Sequence, residues 1–308
     1  MIIKEKFIFY FCLFFLITKV SFALENKIIV KVDNEIITYL DIIDESNYLR
    51  ALNPQINNLN QNKFFEISKN SVIREKVKQI EILKRVENLN IDKNYLDKLI
   101  RRIFVKLNFR NKNEFKIYLE KFDVDLATVE KKISIEALWN ELIFYKFSKK
   151  VKINEEEIKK EILENNKKKN ISYFLYEIVF NVKENNNLNK KFNLIKKDIV
   201  EKGFENSALI HSVSNTSNIG GKLGWVKANS LNEKIKNEIN KINLGEFTQP
   251  ITVPGGFLIL KLGDTKENIE SFNIDEEIEI MINAKKNTQL NQYSNIYFNK
   301  IIKNMSIN

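Results

Sequence analysis

The chain has 308 residues, of which 50 are Lys or Arg and 40 are Asp or Glu, and its formal net charge is +10 at pH 7. Its only histidine is His211, which excludes a metal site built from several histidines of one chain. The sequence has no glycine-rich loop with phosphate-binding spacing, and no cofactor or metal is predicted from it.

Residues 1–23 have the pattern of a secretory signal. Two lysines make a basic start, an unbroken apolar run follows over 7–17, and small residues occupy the cleavage-critical positions of 21–23. The run is short for a transmembrane helix, although an uncleaved N-terminal anchor is the alternative. Export is therefore predicted. Cleavage would remove Cys12, the only cysteine, and leave a mature chain without thiols or disulfides.

The positive charge has more than one interpretation. Nucleic-acid binding is disfavoured, because acidic residues are interleaved along the chain and export is predicted. Attraction to acidic segments or to a membrane surface is compatible with the charge. A genome rich in Lys, Asn and Ile codons explains it most simply.

Residues 24–165 are predicted to form a mostly helical N-terminal module. Residues 27–38 read as two short strands around an Asp-Asn turn, and Thr38 and Asp41 have nearly the spacing of a capping box. That box opens a helix that is expected to end near 52. Further helices, mostly marked by apolar residues at helical spacing, are expected over 68–89, 92–104, 114–122, 126–147 and 154–165.

The pattern changes at residue 171. Strands are predicted over 172–182, 223–226, 247–253 and 257–262, and helices over 188–202 and 232–241 with a shorter one around 205–209. This βαβαββ order predicts one compact α+β domain over 171–264. Residues 265–308 return to helix, and we expect that helix to pack on the N-terminal module because an amphipathic helix cannot bury its own apolar face.

Two glycine-containing segments mark the α+β domain. Residues 217–225 read SNIGGKLGW, whose adjacent glycines require a tight backbone path. Residues 244–257 read LGEFTQPITVPGGF, with a Gly-Glu turn, a proline at a strand edge and a Gly-Gly turn. Together these segments resemble the parvulin type of peptidyl-prolyl cis-trans isomerase, or rotamase.

The whole layout resembles the SurA type of periplasmic chaperone. The signal, the opening KIIVKVDNEIITYLDI, the helical module, the parvulin-like domain and the returning helix all fit that type, in a shorter form with one parvulin module. The resemblance implies a periplasmic protein whose helical parts cradle unfolded outer-membrane proteins during transit and assembly. The implied partners are those proteins and proline-containing peptide segments. Nucleic acid and stable membrane insertion after signal cleavage are not expected.

The resemblance also assigns an isomerase site. Matched to the parvulin motif, the family's proline pocket falls on Leu223, Leu231 and Ile235, although core packing explains each of the three alone. The family's two histidines fall on Glu177 and Phe257, and the Cys or Asp that faces them falls near Ser214. The candidate catalytic residues are Ser214 and Glu177, and the candidate pocket residues are Leu223, Leu231, Ile235 and Phe257.

The replaced histidines change the expected activity. Glu177 is expected to be either ionised and solvated or paired with a lysine such as Lys222, and His211 is expected to pack the loop rather than to act as acid or base. Peptide binding should survive better than catalysis, so isomerase activity is predicted to be weak or absent. The alternatives are an active prolyl isomerase of exported proteins and an assembly factor that docks an inner-membrane partner through the basic surface.

Overall fold

The protein was analysed as a computed structural model, which describes residues 27–53, 60–165, 171–182, 188–267 and 274–308. The predicted signal over 1–23 lies outside these ranges. The described parts have the predicted α+β architecture, in which ten helices accompany one two-stranded and one four-stranded sheet. None of the helices in these ranges is long and apolar enough to cross a membrane.

The first part of the chain is a strand hairpin followed by six helices. Its elements are β1 (Ile28–Val32), β2 (Glu35–Thr38), α1 (Tyr39–Leu52), α2 (Gln61–Leu83), α3 (Lys93–Lys106), α4 (Lys112–Glu120), α5 (Leu126–Phe147) and α6 (Glu155–Asn165). The predicted capping box is confirmed at the start of α1, where the Thr38 amide donates to the Asp41 carboxylate at 2.7 Å and the Asp41 amide donates to the Thr38 hydroxyl at 3.3 Å.

Helix α2 begins and ends earlier than the predicted 68–89. Its first residue is Gln61, because the side chain of Asn60 accepts from the Asn62 amide and caps the helix. It ends at Leu83, and the amide of Asn90 beyond it is bonded to the Asn88 side chain. The Asn60 cap thus starts the helix earlier than the apolar spacing predicts, whereas at the other end Asn88 offers the backbone a local alternative to helix.

The second part of the chain forms the predicted α+β domain. Its elements are β3 (Ile171–Phe180), α7 (Leu188–Lys202), α8 (Phe204–His211), β4 (Lys222–Lys227), α9 (Glu233–Ile239), β5 (Ile251–Val253) and β6 (Gly256–Glu267). The strands pair antiparallel in the order β4-β3-β6-β5. Strand β5 is shorter than predicted, since Pro250 before it has no amide to donate and Phe247 makes only an isolated bridge to β6.

The two faces of this sheet carry separate apolar clusters. One face packs against α9 and contains Leu175, Leu258 and Ile251. The other packs against α7 and α8 and contains Ile178 and Ile259. Alternate residues of β3 and β6 therefore point to opposite layers.

The last helix, α10 (Ile274–Lys303), packs against α2, α5 and α6 of the first part. The indole nitrogen of Trp139 in α5 donates to the Ser294 hydroxyl at 2.8 Å, and the Tyr297 ring stacks on Trp139 at 5.9 Å between centroids. Beyond the helix, Asn308 pairs with the backbone of Lys31 in β1 at 2.9 and 3.1 Å. The end of the described chain thus lies along its first strand.

The α+β domain also packs directly on the helical part. Leu209 of α8 is buried in the same apolar cluster as Phe104 and Phe115. Lys63 of α2 forms an ion pair with Asp198 of α7 at 2.9 Å. The two parts therefore share both an apolar core and a polar contact.

Trp139 offers a test of the packing between α5 and α10. Its side chain is 1% exposed, and we expect Trp139→Ala to lower the free energy of unfolding by about 3–5 kcal/mol, because a cavity replaces the indole. Tyr145→Ala on the same helix is the control, since Tyr145 is 75% exposed and its loss should cost less than about 1 kcal/mol. Urea unfolding of both variants gives the comparison. Equal losses would contradict the packing described.

Candidate functional site

A glycine pair fixes the loop between α8 and β4 against the central strand. Gly220 and Gly221 have φ angles of 67° and 75°, in the left-handed region that favours glycine. The Glu177 amide donates to the Gly221 carbonyl at 2.7 Å. A Cβ on Gly221 would lie 2.2 Å from the Glu177 carbonyl oxygen, so no other residue fits there without moving the strand.

This loop places two hydroxyl groups on the carboxylate of Glu177. Ser214 donates to Glu177 Oε1 at 2.5 Å, and Thr216 donates to the same oxygen at 2.8 Å. Ser214 also caps the short 3-10 turn Asn215–Ile219 by accepting from the Thr216 amide at 3.4 Å. The structure therefore brings the two candidate catalytic residues together. Thr216 was not predicted from the sequence, although its position two residues after Ser214 is typical of such a cap.

Burial raises the pKa of Glu177, and the hydrogen bonds from Ser214 and Thr216 oppose that rise only in part. Within the described ranges Glu177 has no lysine partner, and the ammonium of Lys222 instead lies 5.2 Å from the centre of the Phe174 ring. The expected alternatives of a solvated or lysine-paired carboxylate are therefore not what the structure contains. Glu177 is a half-buried acceptor for two hydroxyl groups.

The candidate pocket residues do not all lie together. Leu231 and Ile235 are half-buried and pack on the α9 face of the sheet beside buried Ile239. Leu223 on β4 is 41% exposed and is not among the residues of that cluster. The structure thus joins two of the three predicted proline-pocket residues.

Phe257 lies on the opposite face from Glu177. It pairs in register with Phe180, and their rings are 5.7 Å apart in the cluster under α7 and α8. Leu258, one residue on, packs with Leu231 and Ile235. Because side chains alternate along a strand, Leu258 shares the face of Glu177, as does Leu260, which pairs with Glu177 in register.

The imidazole of His211 contacts a carboxylate within the domain instead of facing a substrate. Its Nε2 lies 2.7 Å from Asp198 Oδ2, and burial lowers the pKa of His211 to about 4 despite that carboxylate. The imidazole is therefore neutral at pH 7, and its contact joins α8 to α7. This arrangement agrees with the packing role expected for His211.

A cleft of about 740 Å³ opens between the helical part and the α+β domain. The helices supply most of its apolar wall, which includes Leu52, Leu99, Ile103, Leu107, Ile133 and Ala137. The domain supplies Ser214, Ser217, Ile219 and Lys222. One end of the isomerase-type site thus faces a cavity of the size that binds peptides or small molecules.

Arg74 of α2 connects the cleft to the site loop. Its guanidinium donates to the Ser212 carbonyl at 3.3 Å and to the Ser217 hydroxyl at 3.2 Å. The hydroxyl of Ser212 in turn accepts from the Val179 amide of β3 at 3.0 Å. A helix of the first part therefore holds both sides of the loop that carries Ser214.

The side chains gathered here supply apolar groups and hydroxyl groups. Within the described ranges no group of three or more His, Cys, Asp or Glu residues is placed to hold a metal ion. Rotation about an Xaa-Pro bond needs no covalent step. It needs an apolar grip on the ring and a polar partner for the twisted amide. Leu231, Ile235 and Leu258 provide apolar surface, and Ser214 and Thr216 provide hydroxyl groups.

Comparison with known proteins agrees with this geometry. Residues 177–264 match the Rotamase family, described as the PPIC-type PPIASE domain. The chain is 37% identical over 73 residues to Chaperone SurA of Pseudomonas putida, which covers 24% of this chain and 17% of that protein. It is 24% identical over 195 residues to Chaperone SurA of Chromohalobacter salexigens, which covers 61% of this chain and 44% of that protein.

One of the Campylobacter jejuni proteins described as the virulence factor PEB4 and the periplasmic protein Cj1289, two SurA-like chaperones, is 17% identical over 92% of this chain and 98% of its own, with a TM-score of 0.37. The chain spans less than half the length of the two curated relatives named. It contains a PPIC-type isomerase domain and resembles SurA-type chaperones, as its sequence motifs predicted.

Glu177 gives a pH-dependent test. Because the pKa of Glu177 is raised in the folded protein, ionisation of its carboxyl group lowers the stability of the fold as the pH rises above 4.5, the ordinary pKa of a Glu side chain. Glu177→Gln keeps an acceptor oxygen without the charge, so we expect a higher Tm than wild type at pH 7. We expect no difference well below pH 4.5, where the Glu177 carboxyl is protonated in both the folded and the unfolded chain. Exposed Glu141→Gln is the control. A lower Tm for Glu177→Gln at pH 7 would contradict the burial argument.

Arg74 gives a test of the loop anchor. We expect Arg74→Met to speed amide hydrogen exchange over residues 212–219 by about tenfold, because two hydrogen bonds from a charged donor are lost. Arg101→Met, a change of the same kind at an exposed position of α3, should leave that exchange unchanged. Mass spectrometry after hydrogen exchange measures both. Unchanged exchange in Arg74→Met would show that the loop does not depend on α2.

Proposed function

We propose that this protein is a periplasmic chaperone that binds unfolded outer-membrane proteins during transit and assembly. The observation that carries the proposal is the cleft of about 740 Å³ between the helices and the isomerase-type domain. A pocket whose lining mixes apolar side chains with polar and charged groups suits an extended segment whose side chains alternate in character.

The affinity of such a chaperone should be modest. An unfolded client loses conformational freedom when a segment is ordered in the cleft, and that loss offsets part of the contact energy. Tyr95 of α3 lines the cleft and is 50% exposed, as expected of an aromatic side chain that is available to a client. The similarity to SurA-type chaperones supports the same assignment.

The domain boundaries from the sequence belong to this proposal. Residues 24–165 form the client-binding helical module, and residues 171–264 form the parvulin-like domain. Residues 265–308 carry α10, which packs on α5 and α6. Residues 1–23 direct export and are then removed, which leaves no stable membrane insertion. Unfolded proteins and proline-containing segments are the partners, and nucleic acid is not.

Within this proposal the isomerase-type domain contributes peptide binding more than catalysis. The positions that the sequence matched to the family's histidines carry Glu177 and Phe257, and the side chain of Phe257 packs away from Glu177. The hydroxyl of Ser214 is bonded to Glu177 rather than aimed at open space. An active prolyl isomerase of exported proteins is the second candidate, favoured by the half-buried apolar pair Leu231 and Ile235, which packs against strands β3 and β6.

Suppression of aggregation tests the chaperone proposal. The full chain should slow aggregation of an unfolded β-barrel protein, and Tyr95→Asp should require about fivefold more protein for the same effect, because a charge replaces an exposed aromatic contact in the cleft. Tyr145→Asp is the matched control, since Tyr145 is 75% exposed and lies outside the cleft lining. Equal suppression by both variants would overturn the role of the cleft.

A prolyl-isomerisation assay on the same samples separates the two candidates. We expect exchange NMR on an Xaa-Pro peptide to give the spontaneous rate for wild type and for Leu231→Ala. A wild-type rate well above the spontaneous one that collapses in Leu231→Ala would favour the enzyme. Leu244→Ala is the control for that variant, because Leu244 is 59% exposed.

A further inference from the structure

Most of the charged side chains that line the cleft form ion pairs with other side chains. Lys132 lies between the carboxylates of Glu45 and Glu75. Lys78 forms an ion pair with Glu136 at 2.6 Å. These pairs come from α1, α2 and α5 and leave little net charge on that wall of the cleft.

Among the described residues, the charges are unmatched where α3 and β4 line the cleft. Arg102 and Lys106 lie one helical turn apart on α3 and line the cleft, and Lys222 of β4 lines it from the isomerase-type domain. Within the ranges that the structure describes, none of these three cations has a carboxylate within ion-pair distance. Two walls of the cleft therefore present positive charge to the same space.

The lysines affect each other across that space. Burial lowers the pKa of Lys106, and the positive charge of Lys222 lowers it further. The face of the Phe174 ring, 5.2 Å from the Lys222 ammonium, offsets part of that repulsion for Lys222. An anion between the two ammonium groups would remove the repulsion, whereas an additional cation would increase it.

We propose that Lys106 and Lys222 form a carboxylate subsite in the cleft, which selects extended client segments that carry an Asp or Glu side chain between apolar residues. The proposal rests on the chaperone function proposed above and adds a chemical preference to it. The carboxylate binds between the two ammonium groups, and Arg102 adds positive potential on the same helix face.

The apolar wall determines what surrounds the carboxylate. Leu99 and Ile103 lie on the same face of α3 as Arg102 and Lys106, since residues three and four apart are neighbours on a helix. A client segment therefore contacts apolar and cationic groups in alternation. An extended chain offers side-chain carboxylates along its whole length, whereas it has only one carboxyl terminus, so we assign the subsite to side chains.

Two peptides blocked at both ends test the subsite. They share an extended sequence of about nine residues with alternating aromatic side chains, and the central residue is Asp in one and Asn in the other. For the full chain at low salt we expect the Kd of the Asp peptide to be about fivefold lower, since the ammonium groups are only partly buried. The ratio should approach one in about 1 M salt, where screening acts within ~3 Å.

Substitutions of lysines show which side chains cause the difference between the two Kd values. The double variant Lys106→Gln with Lys222→Gln should bring the ratio of the two Kd values to about one. The control, Lys190→Gln with Lys196→Gln, removes the same charge from exposed positions of α7 outside the cleft and should keep the ratio near fivefold. Circular dichroism of each variant verifies folding.

The outcomes that overturn the subsite differ from those that overturn the chaperone. Equal Kd values of both peptides for wild type, or an unchanged ratio in the double variant, would refute the subsite and leave the chaperone proposal standing. Failure of both peptides to bind, together with no suppression of aggregation, would refute the chaperone itself. Binding of anionic phospholipid vesicles that needs both lysines, without any preference between the peptides, would overturn the subsite in favour of a lipid surface.

Discussion

The docking of the isomerase-type domain on the helices determines the rest of the structure. Leu209 of α8 is buried in the helical core, and Arg74 of α2 bonds to the loop that carries Ser214. Because apolar burial is non-directional while the guanidinium contacts fix orientation, the two together set the width of the cleft. A change in either would alter the cleft and the site loop at once.

Because the cleft and the site loop depend on the same contacts, the glycine pair does more than form a local turn. Gly221 allows the loop to approach β3, where its carbonyl accepts from the Glu177 amide. The same loop supplies Ser214 to the cleft and leads directly into Lys222 of β4, which also lines it. The backbone path at one pair of residues therefore determines both the hydrogen bonds of Glu177 and one wall of the space between the two parts of the chain.

Local sequence patterns predicted the fold well, and the site less completely. The capping box, the βαβαββ order and the Gly-Gly loop follow from spacing and backbone chemistry, which are local. The face of the sheet on which Phe257 lies does not follow from such local patterns, because a shift of one residue in register exchanges the two faces of a strand. Arg74 could not be predicted as a partner of the site loop, because tertiary packing alone brings α2 to it.

The pairing of residues 306–308 with the start of the described chain also protects part of a strand edge. An uncovered strand edge is a template on which another strand can add. Here Asn308 and Ser306 bond to the backbone of Lys31 in β1 and of Asp33 just beyond it, so these backbone groups are already satisfied. Another strand that approaches this stretch of edge therefore finds it occupied.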